Sequence, residues 1–328
     1  MPINLETSPS KGLVELLADM TGSQMTDSLF HLPKNFGEGY IKRFKLEPHF
    51  DIMIHDYELA DEVTLKRTAT FKGSNKITFS FRNAFNRMSK HTATDVHKSG
   101  RTLSSVQVSS GDVELDFFYP AKTHINTLLI TVDASALTNL IGQESNHPLL
   151  QTILSSAHSY LYEEFVSPDI QQVATQIVLI DGTEALHGFY LKLKIQELIY
   201  LFFRELLKRQ EVVNYSINTD DIKKVYWVKD KILADLSLPP NLPQLAHLLG
   251  MSESKLKRLF KQIFGNSIYQ YYQTFRLNEA AQLIKNQKLS IAETGYRLGF
   301  TNLSHFGRLF EQHIGLKPKK YSTANATP

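Results

Sequence analysis

Two periodicities divide this chain. Between residues 37 and 133 the apolar positions recur every second residue: Ile77, Phe79 and Phe81 are separated by Thr78 and Ser80, with Arg82 closing the run. Val113, Leu115, Phe117 and Tyr119 alternate with Glu114, Asp116 and Phe118, and Leu128, Ile130 and Val132 with Leu129 and Thr131. Such alternation gives a strand one apolar face. KGSNK (72–76) and SSGD (109–112) read as hairpin turns, because Gly, Asn and Asp tolerate left-handed backbone. Short strands joined this way predict a small barrel or sandwich. A short amphipathic helix, KGLVELLADM at 11–20, precedes them.

From residue 134 the period becomes helical. Pro148 and Pro168 stand where first helical turns are expected, a position at which proline costs nothing. The segment 186–209 carries two stripes: Leu191, Ile195, Leu198, Phe202 and Leu206 on one side, Leu193, Tyr200, Phe203 and Leu207 nearly opposite. A surface helix needs one stripe only. The second is expected to pack either within the same subunit or against another. QEVVNYSINTD (210–220) reads as a junction, and DDIKKVYWVKDKILADL as the helix that follows it.

The C-terminal part contains one helix-turn-helix pattern twice, NLPQLAHLLGMSESKLKRLFKQIFG at 241–265 and SIAETGYRLGFTNLSHFGRLFEQHIG at 290–315. An offset of 49 maps Leu242 to Ile291, Leu249 to Leu298, Gly250 to Gly299 and Ser252 to Thr301. An offset of 50 maps Arg258 to Arg308, Leu259 to Leu309, Phe260 to Phe310 and Gly265 to Gly315, so the second copy is one residue longer just after its turn. Self-similarity of this kind marks a duplicated supersecondary unit. Between the copies, SIYQYYQTFRLNEAAQLIK (267–285) has no Gly or Pro and predicts a rigid helix of roughly 28 Å, matched to a ~34 Å separation between successive major grooves.

Composition changes the picture in two ways. The net charge of +3 conceals a split: residues 221–328 hold 16 Lys+Arg against 7 Asp+Glu, and residues 1–220 hold 20 against 26. A basic C-terminal third suits a polyanionic partner or simply solubility. The absence of cysteine removes disulfides, thiolate zinc sites and cysteine nucleophiles. There is no signal-like N-terminus, and ELIYLFFRELL (197–207) is too short and too charged to span a bilayer. A cytoplasmic protein is expected.

In the first copy, Leu256, Leu259, Phe260 and Ile263 share a face that must be core, with Gly250 at the turn, Ser252 as N-cap and small Ala246 allowing the helices to approach. Ser254, Lys257, Arg258 and Lys261 fall on the opposite face, a cationic stripe suited to guanine edges and phosphates in a major groove. In the second copy Phe306, Leu309 and Phe310 face the core. Ser304, Gly307 and Arg308 face outward with His305 at the flank, and Glu311 stands where the first copy has Lys261.

The strings LAHLLGMSESKLKRLFKQIFG, RLNEAAQLI and GFTNLSHFGRLFEQHIGLKPKKY, with the terminal Gly315, Pro318 and Tyr321, closely resemble the DNA-binding domain of AraC/XylS-family transcription regulators over residues 222–322. Gly295 departs from the alanine usual in the family, which implies a slightly less stable helix. The stretch SPDIQQVATQIVLIDGTEALHGFYLKLKIQELIYLFF resembles the PchR-like branch, whose better-known members sense ferric siderophores. The resemblance implies an α+β protein: a cupin-like β-barrel with a helical dimerisation segment, then an all-α domain with two helix-turn-helix units. The implied boundaries are 1–212 for effector binding and dimerisation, 213–220 for a linker and 221–328 for DNA binding.

The partners so implied are double-stranded DNA, a small-molecule effector such as a metal-siderophore, a second copy of the chain and RNA polymerase; activator versus repressor stays open. No membrane and no cofactor are expected. Tyr57, Phe79, Phe81 and Phe117 are candidate effector contacts, or else barrel filling. His49 and His55 do not form a cupin metal motif, so no protein-held metal is expected. Two alternatives stay open. One is a regulator controlled by a protein partner or by dimerisation alone. The other is a DNA-modifying enzyme, disfavoured because the chain lacks a cysteine alkyl acceptor and any G-x-x-x-x-G-K-[ST], G-x-G-x-x-G or H-E-x-x-H motif.

Overall fold

The computed structural model describes residues 3–8, 12–22, 28–46, 49–68, 75–85, 104–142, 147–155, 158–180, 182–209, 215 and 217–324. They form two compact units, Met1–Thr219 and Asp220–Pro328. Most of the 210–220 junction lies outside the described residues.

The strands of the first unit are β1 (Ile3–Glu6), β2 (Leu29–His31), β3 (Gly37–Leu46), β4 (Phe50–Leu59), β5 (Val63–Arg67), β6 (Lys76–Arg82), β7 (Ser105–Ser110), β8 (Leu115–Tyr119), β9 (His124–Asp133) and β10 (Leu161–Phe165). Seven of them make an antiparallel sheet ordered β10-β7-β6-β9-β4-β3-β2, and β1-β5-β8 make a smaller one. The α+β class is as expected. The barrel is not: two sheets face each other without closing, and Leu5, Ile41, Tyr57, Val63 and Ile125 from both sheets share one core cluster.

The anticipated SSGD hairpin does not form. SSGD carries the chain from β7, paired with β6 and β10, across to β8, paired with β5. KGSNK lies mostly outside the described residues, and the strand after it pairs with β7 and β9 rather than with β5. Alternation identifies strands, but it carries no information about which strand is the neighbour. The strand β10 interrupts a region whose period reads as helical; five residues are too few to register a period of their own.

Around the large sheet lie α1 (Leu13–Thr21), α2 (Ala134–Ile141), α3 (Pro148–Ser155), α4 (Pro168–Val178) and α5 (His187–Leu206). Pro148 and Pro168 open α3 and α4 as expected, and Ser167 caps α4 by accepting from the Ile170 amide. One face of the large sheet, including Ile54, Ile77, Phe79, Phe81 and Leu128, is buried with α4 and α5 in a single core. Phe79 meets Phe202 and Phe203 edge-on, with ring centroids 5.5 and 5.9 Å away. The second stripe of α5 divides: Phe203 is core, while Leu193 and Tyr200 are exposed beside Phe189 and Tyr190.

The second unit is helical: α6 (Thr219–Ala234), α7 (Leu242–Leu248), α8 (Glu253–Phe264), α9 (Ile268–Asn286), α10 (Ile291–Arg297), α11 (Leu303–Ile314) and α12 (Pro318–Ala324). A capping box joining Ser267 and Gln270 starts α9. This helix contacts α8 in the first copy, α10 and α11 in the second, and α12 beyond it. Its buried positions therefore rotate from one face to another, so no single apolar stripe runs along it.

Candidate nucleic-acid interface and inter-sheet cavity

Each copy turns on a left-handed glycine, Gly250 at φ 60° and Gly299 at φ 76°. At Gly299 a Cβ would stand 2.1 Å from the Ser237 carbonyl oxygen, so no side chain fits. The helix after each turn is capped from outside. Ser252 accepts from the Lys255 amide, and Asn302, not Thr301, accepts from the His305 amide. The extra residue of the second copy therefore lies between turn glycine and cap. Gly295, the counterpart of Ala246, lies against α11: a Cβ there would stand 2.6 Å from Leu303 Cδ2 and 3.3 Å from Phe306 Cδ1. A methyl group there would require the Leu303 side chain to shift.

On α8, Leu256, Leu259, Phe260 and Ile263 are buried, and Ser254, Lys257, Arg258 and Lys261 are exposed. Lys257 Nζ lies 3.0 Å from Glu253 Oε2, an exposed pair of little energetic weight that a phosphate can displace. On α11, Phe306 and Phe310 are buried, Leu309 is half-buried, and Ser304, His305 and Arg308 are exposed. Glu311 is half-buried at the far end. The two outward faces are thus present on both copies and unequal in charge.

Two positioning contacts escaped the sequence reading. Arg276, buried in α9, donates from Nε to the Leu298 carbonyl at 2.7 Å and lies 3.6 Å from the Phe300 ring centroid, tying α9 to the second turn. Burial lowers its pKa. Tyr272 donates its hydroxyl to the Leu236 carbonyl at 2.7 Å. Both residues sit among apolar positions of RLNEAA and IYQYY, and a lone arginine within a core stripe is the signal that was available.

In the first unit a cavity of about 650 Å³ opens between the two sheets. Tyr57 and Phe117 line it. Phe79 and Phe81 do not: they are completely buried on the other face of β6, and the cavity receives their polar neighbours Thr78, Ser80 and Arg82 instead. Period two dictates this, since consecutive side chains point to opposite faces. Lining cations Arg43, Lys45, Arg67, Lys76 and Arg82 face a single lining carboxylate, Asp51.

Asp51 is held by Arg43, whose Nε donates at 2.9 Å; that bond is the main cause of the raised Arg43 pKa. Lys76 pairs at 2.6 Å with Asp133. His55 is 4 % exposed, its Nε2 has no hydrogen-bond partner among the described residues, and burial pushes its pKa down to about 4, so it is neutral. Among the described residues no group of three or more His, Asp or Glu side chains is arranged to hold a metal ion. No described helix is long and apolar enough to cross a membrane.

The first unit is thus a two-sheet domain with a cavity, and the second carries two helix-turn-helix copies. Comparison with known proteins makes this specific. Residues 36–214, more than half of the chain, match the family "Regulatory protein PchR N-terminal domain", and residues 245–324 match the family "Helix-turn-helix domain". The chain belongs to the AraC family of transcriptional regulators, in the group that carries the PchR-type N-terminal domain.

Among relatives, the HTH-type transcriptional regulator GbdR of Pseudomonas aeruginosa is 30% identical over 135 residues, covering 40% of this chain and 36% of GbdR. The regulatory protein PchR of the same species is 28% identical over 123 residues, 37% of this chain and 42% of PchR. The chain thus matches only about two fifths of these relatives' length. A solved AraC-type DNA-binding domain protein from Chromobacterium violaceum is 30% identical, covering 34% of this chain and 99% of that one, with a TM-score of 0.31.

Proposed function

We propose that this protein is an effector-responsive transcription regulator that reads two adjacent major grooves with α8 and α11. The observation that carries the reading is the pair of capped helices whose outward faces expose Ser254, Lys257, Arg258 and Lys261 in one copy and Ser304, His305 and Arg308 in the other. Arginine and lysine on such faces contact guanine edges and phosphates. The cavity in the first unit supplies a place for a small effector. Residues 1–212 are assigned to effector binding and dimerisation, 213–220 to the linker and 221–328 to DNA binding. The reading places the protein in the cytoplasm, with RNA polymerase as a further partner. A ferric siderophore is one effector that its relationship to PchR suggests.

The test is an anisotropy titration of the purified protein on DNA from upstream of its own gene. Specific binding should weaken as salt rises, because phosphate contacts release counterions. Absence of salt-sensitive specific binding on any promoter fragment overturns the reading. A second element, dimerisation, is supported by the exposed Phe189, Tyr190, Leu193 and Tyr200 on α5, an apolar face of the kind that marks an interaction site.

A further inference from the structure

Three neighbouring strands bring Arg82, Thr127 and His55 onto one cross-strand row that faces the cavity. Adjacent strands lie about 4.8 Å apart, so the outer two residues of the row stand ~10 Å apart at the backbone. The guanidinium of Arg82 is fixed from three directions. Its Nη2 donates to Gln107 Oε1 at 2.6 Å, its Nε reaches Ser80 Oγ at 3.4 Å, and it lies 4.8 Å from the Phe117 ring centroid. All three partners are neutral, and among the described residues Nη1 makes no hydrogen bond.

A charged group held rigid and partly out of water, with no counter-ion, is costly unless something anionic completes it. At the other end of the row, His55 presents a buried ring nitrogen with no hydrogen-bond partner among the described residues. Around them Met53, Leu65, Tyr119, Ile125 and Leu129 supply an apolar and aromatic wall.

We propose that the cavity takes a small organic carboxylate, clamped on the open Nη1 edge of Arg82. Its apolar or aromatic body lies against Phe117 and Leu129, and a polar group of the ligand hydrogen-bonds His55 Nε2. Asp51, the one carboxylate among the described lining residues, is already occupied by Arg43, and Lys76 is paired with Asp133; Lys45 adds its positive charge to that of Arg82. The inference rests on the reading of the first unit as the effector-binding domain and adds the chemical class of the effector.

Isothermal titration of the full-length protein with 2-naphthoate and with its neutral analogue 2-naphthamide tests it. A charge-assisted hydrogen bond in a partly dry site corresponds to roughly a tenfold preference or more for the carboxylate. Arg82→Gln should abolish that preference while leaving the melting temperature and the salt-sensitive DNA binding of the protein in place. Equal affinity of the wild-type protein for the two probes, or binding of neither, overturns the proposal without need of any variant. So does a preference that survives in a folded Arg82→Gln protein. If DNA binding by the wild-type protein is intact in these cases, the anion site alone has failed; if specific DNA binding is absent, the regulator reading has failed.

Discussion

The guanidinium of Arg276 lies 3.6 Å from the centre of the Phe300 ring while its Nε donates to the Leu298 carbonyl. One side chain on α9 thereby grips both sides of Gly299, the turn of the second helix-turn-helix copy. Removing it strands a carbonyl and forfeits a cation–π contact. Arg276→Ala is expected to destabilise the second unit by about 2–4 kcal/mol. Arg276→Met keeps the packed stem and should cost less. Urea unfolding of the two variants measures the difference, and equal losses would show that the polar contact rather than the packed stem matters.

DNA affinity should respond unequally to the two copies. Arg258→Ala and Lys257→Ala are expected to weaken binding more than His305→Ala or Gly307→Ala, and each lost phosphate contact should lower the salt slope by about 1. Anisotropy at several salt concentrations reads both quantities, and comparable losses across the four variants would show that the copies share the grip.

Acid should destabilise the first unit through His55. Its folded pKa of about 4 lies below the ordinary 6.5, so the unfolded chain binds the proton first as pH falls. Stability is full above pH 6.5, declines between 6.5 and about 4, and levels off below that. A gap of this size corresponds to about 3 kcal/mol. Thermal melts of His55→Asn and the wild-type protein over that range should diverge, the variant having the flatter profile; parallel profiles would rule out His55 as the source.

Phe81 and Phe117 should separate core from cavity. Phe81 is fully buried against the helices, and Phe81→Ala is expected to cost about 3–5 kcal/mol. Phe117 lines the cavity and is half-buried, so Phe117→Ala should cost clearly less while weakening 2-naphthoate binding. Denaturant melts and titration of both variants check the assignment.

A fragment of residues 221–328 should bind DNA as a monomer without responding to any effector. In the full chain, Leu193→Glu with Tyr200→Glu should dissociate the proposed dimer. Analytical ultracentrifugation of both decides the matter, and a dimeric fragment would remove the interface from α5.

Much of this protein is legible in its residues, because helix and strand periods, caps and turn glycines are local properties. The doubled Gly250 and Gly299 turns, the Ser252 cap and the cationic face of α8 need only neighbours within a few positions. Phe81 and Arg82 show where local reading stops. Alternation puts them on opposite faces but cannot say which face meets helices and which meets a cavity; a rule that favours aromatic residues as ligand contacts chose Phe81. Sheet order reverses that choice. The strand β5 leaves the large sheet to pair with β1 and β8, and the space between the sheets then receives the polar face of β6. Likewise, the placement of Arg276 against Phe300 and of Arg82, Thr127 and His55 in one row depends on contacts between residues 24 to 72 positions apart in sequence. The sequence by itself determined the elements, the duplication and its unequal charge, while strand pairing and long-range packing decided which side chains meet, since those contacts have no short-range signature.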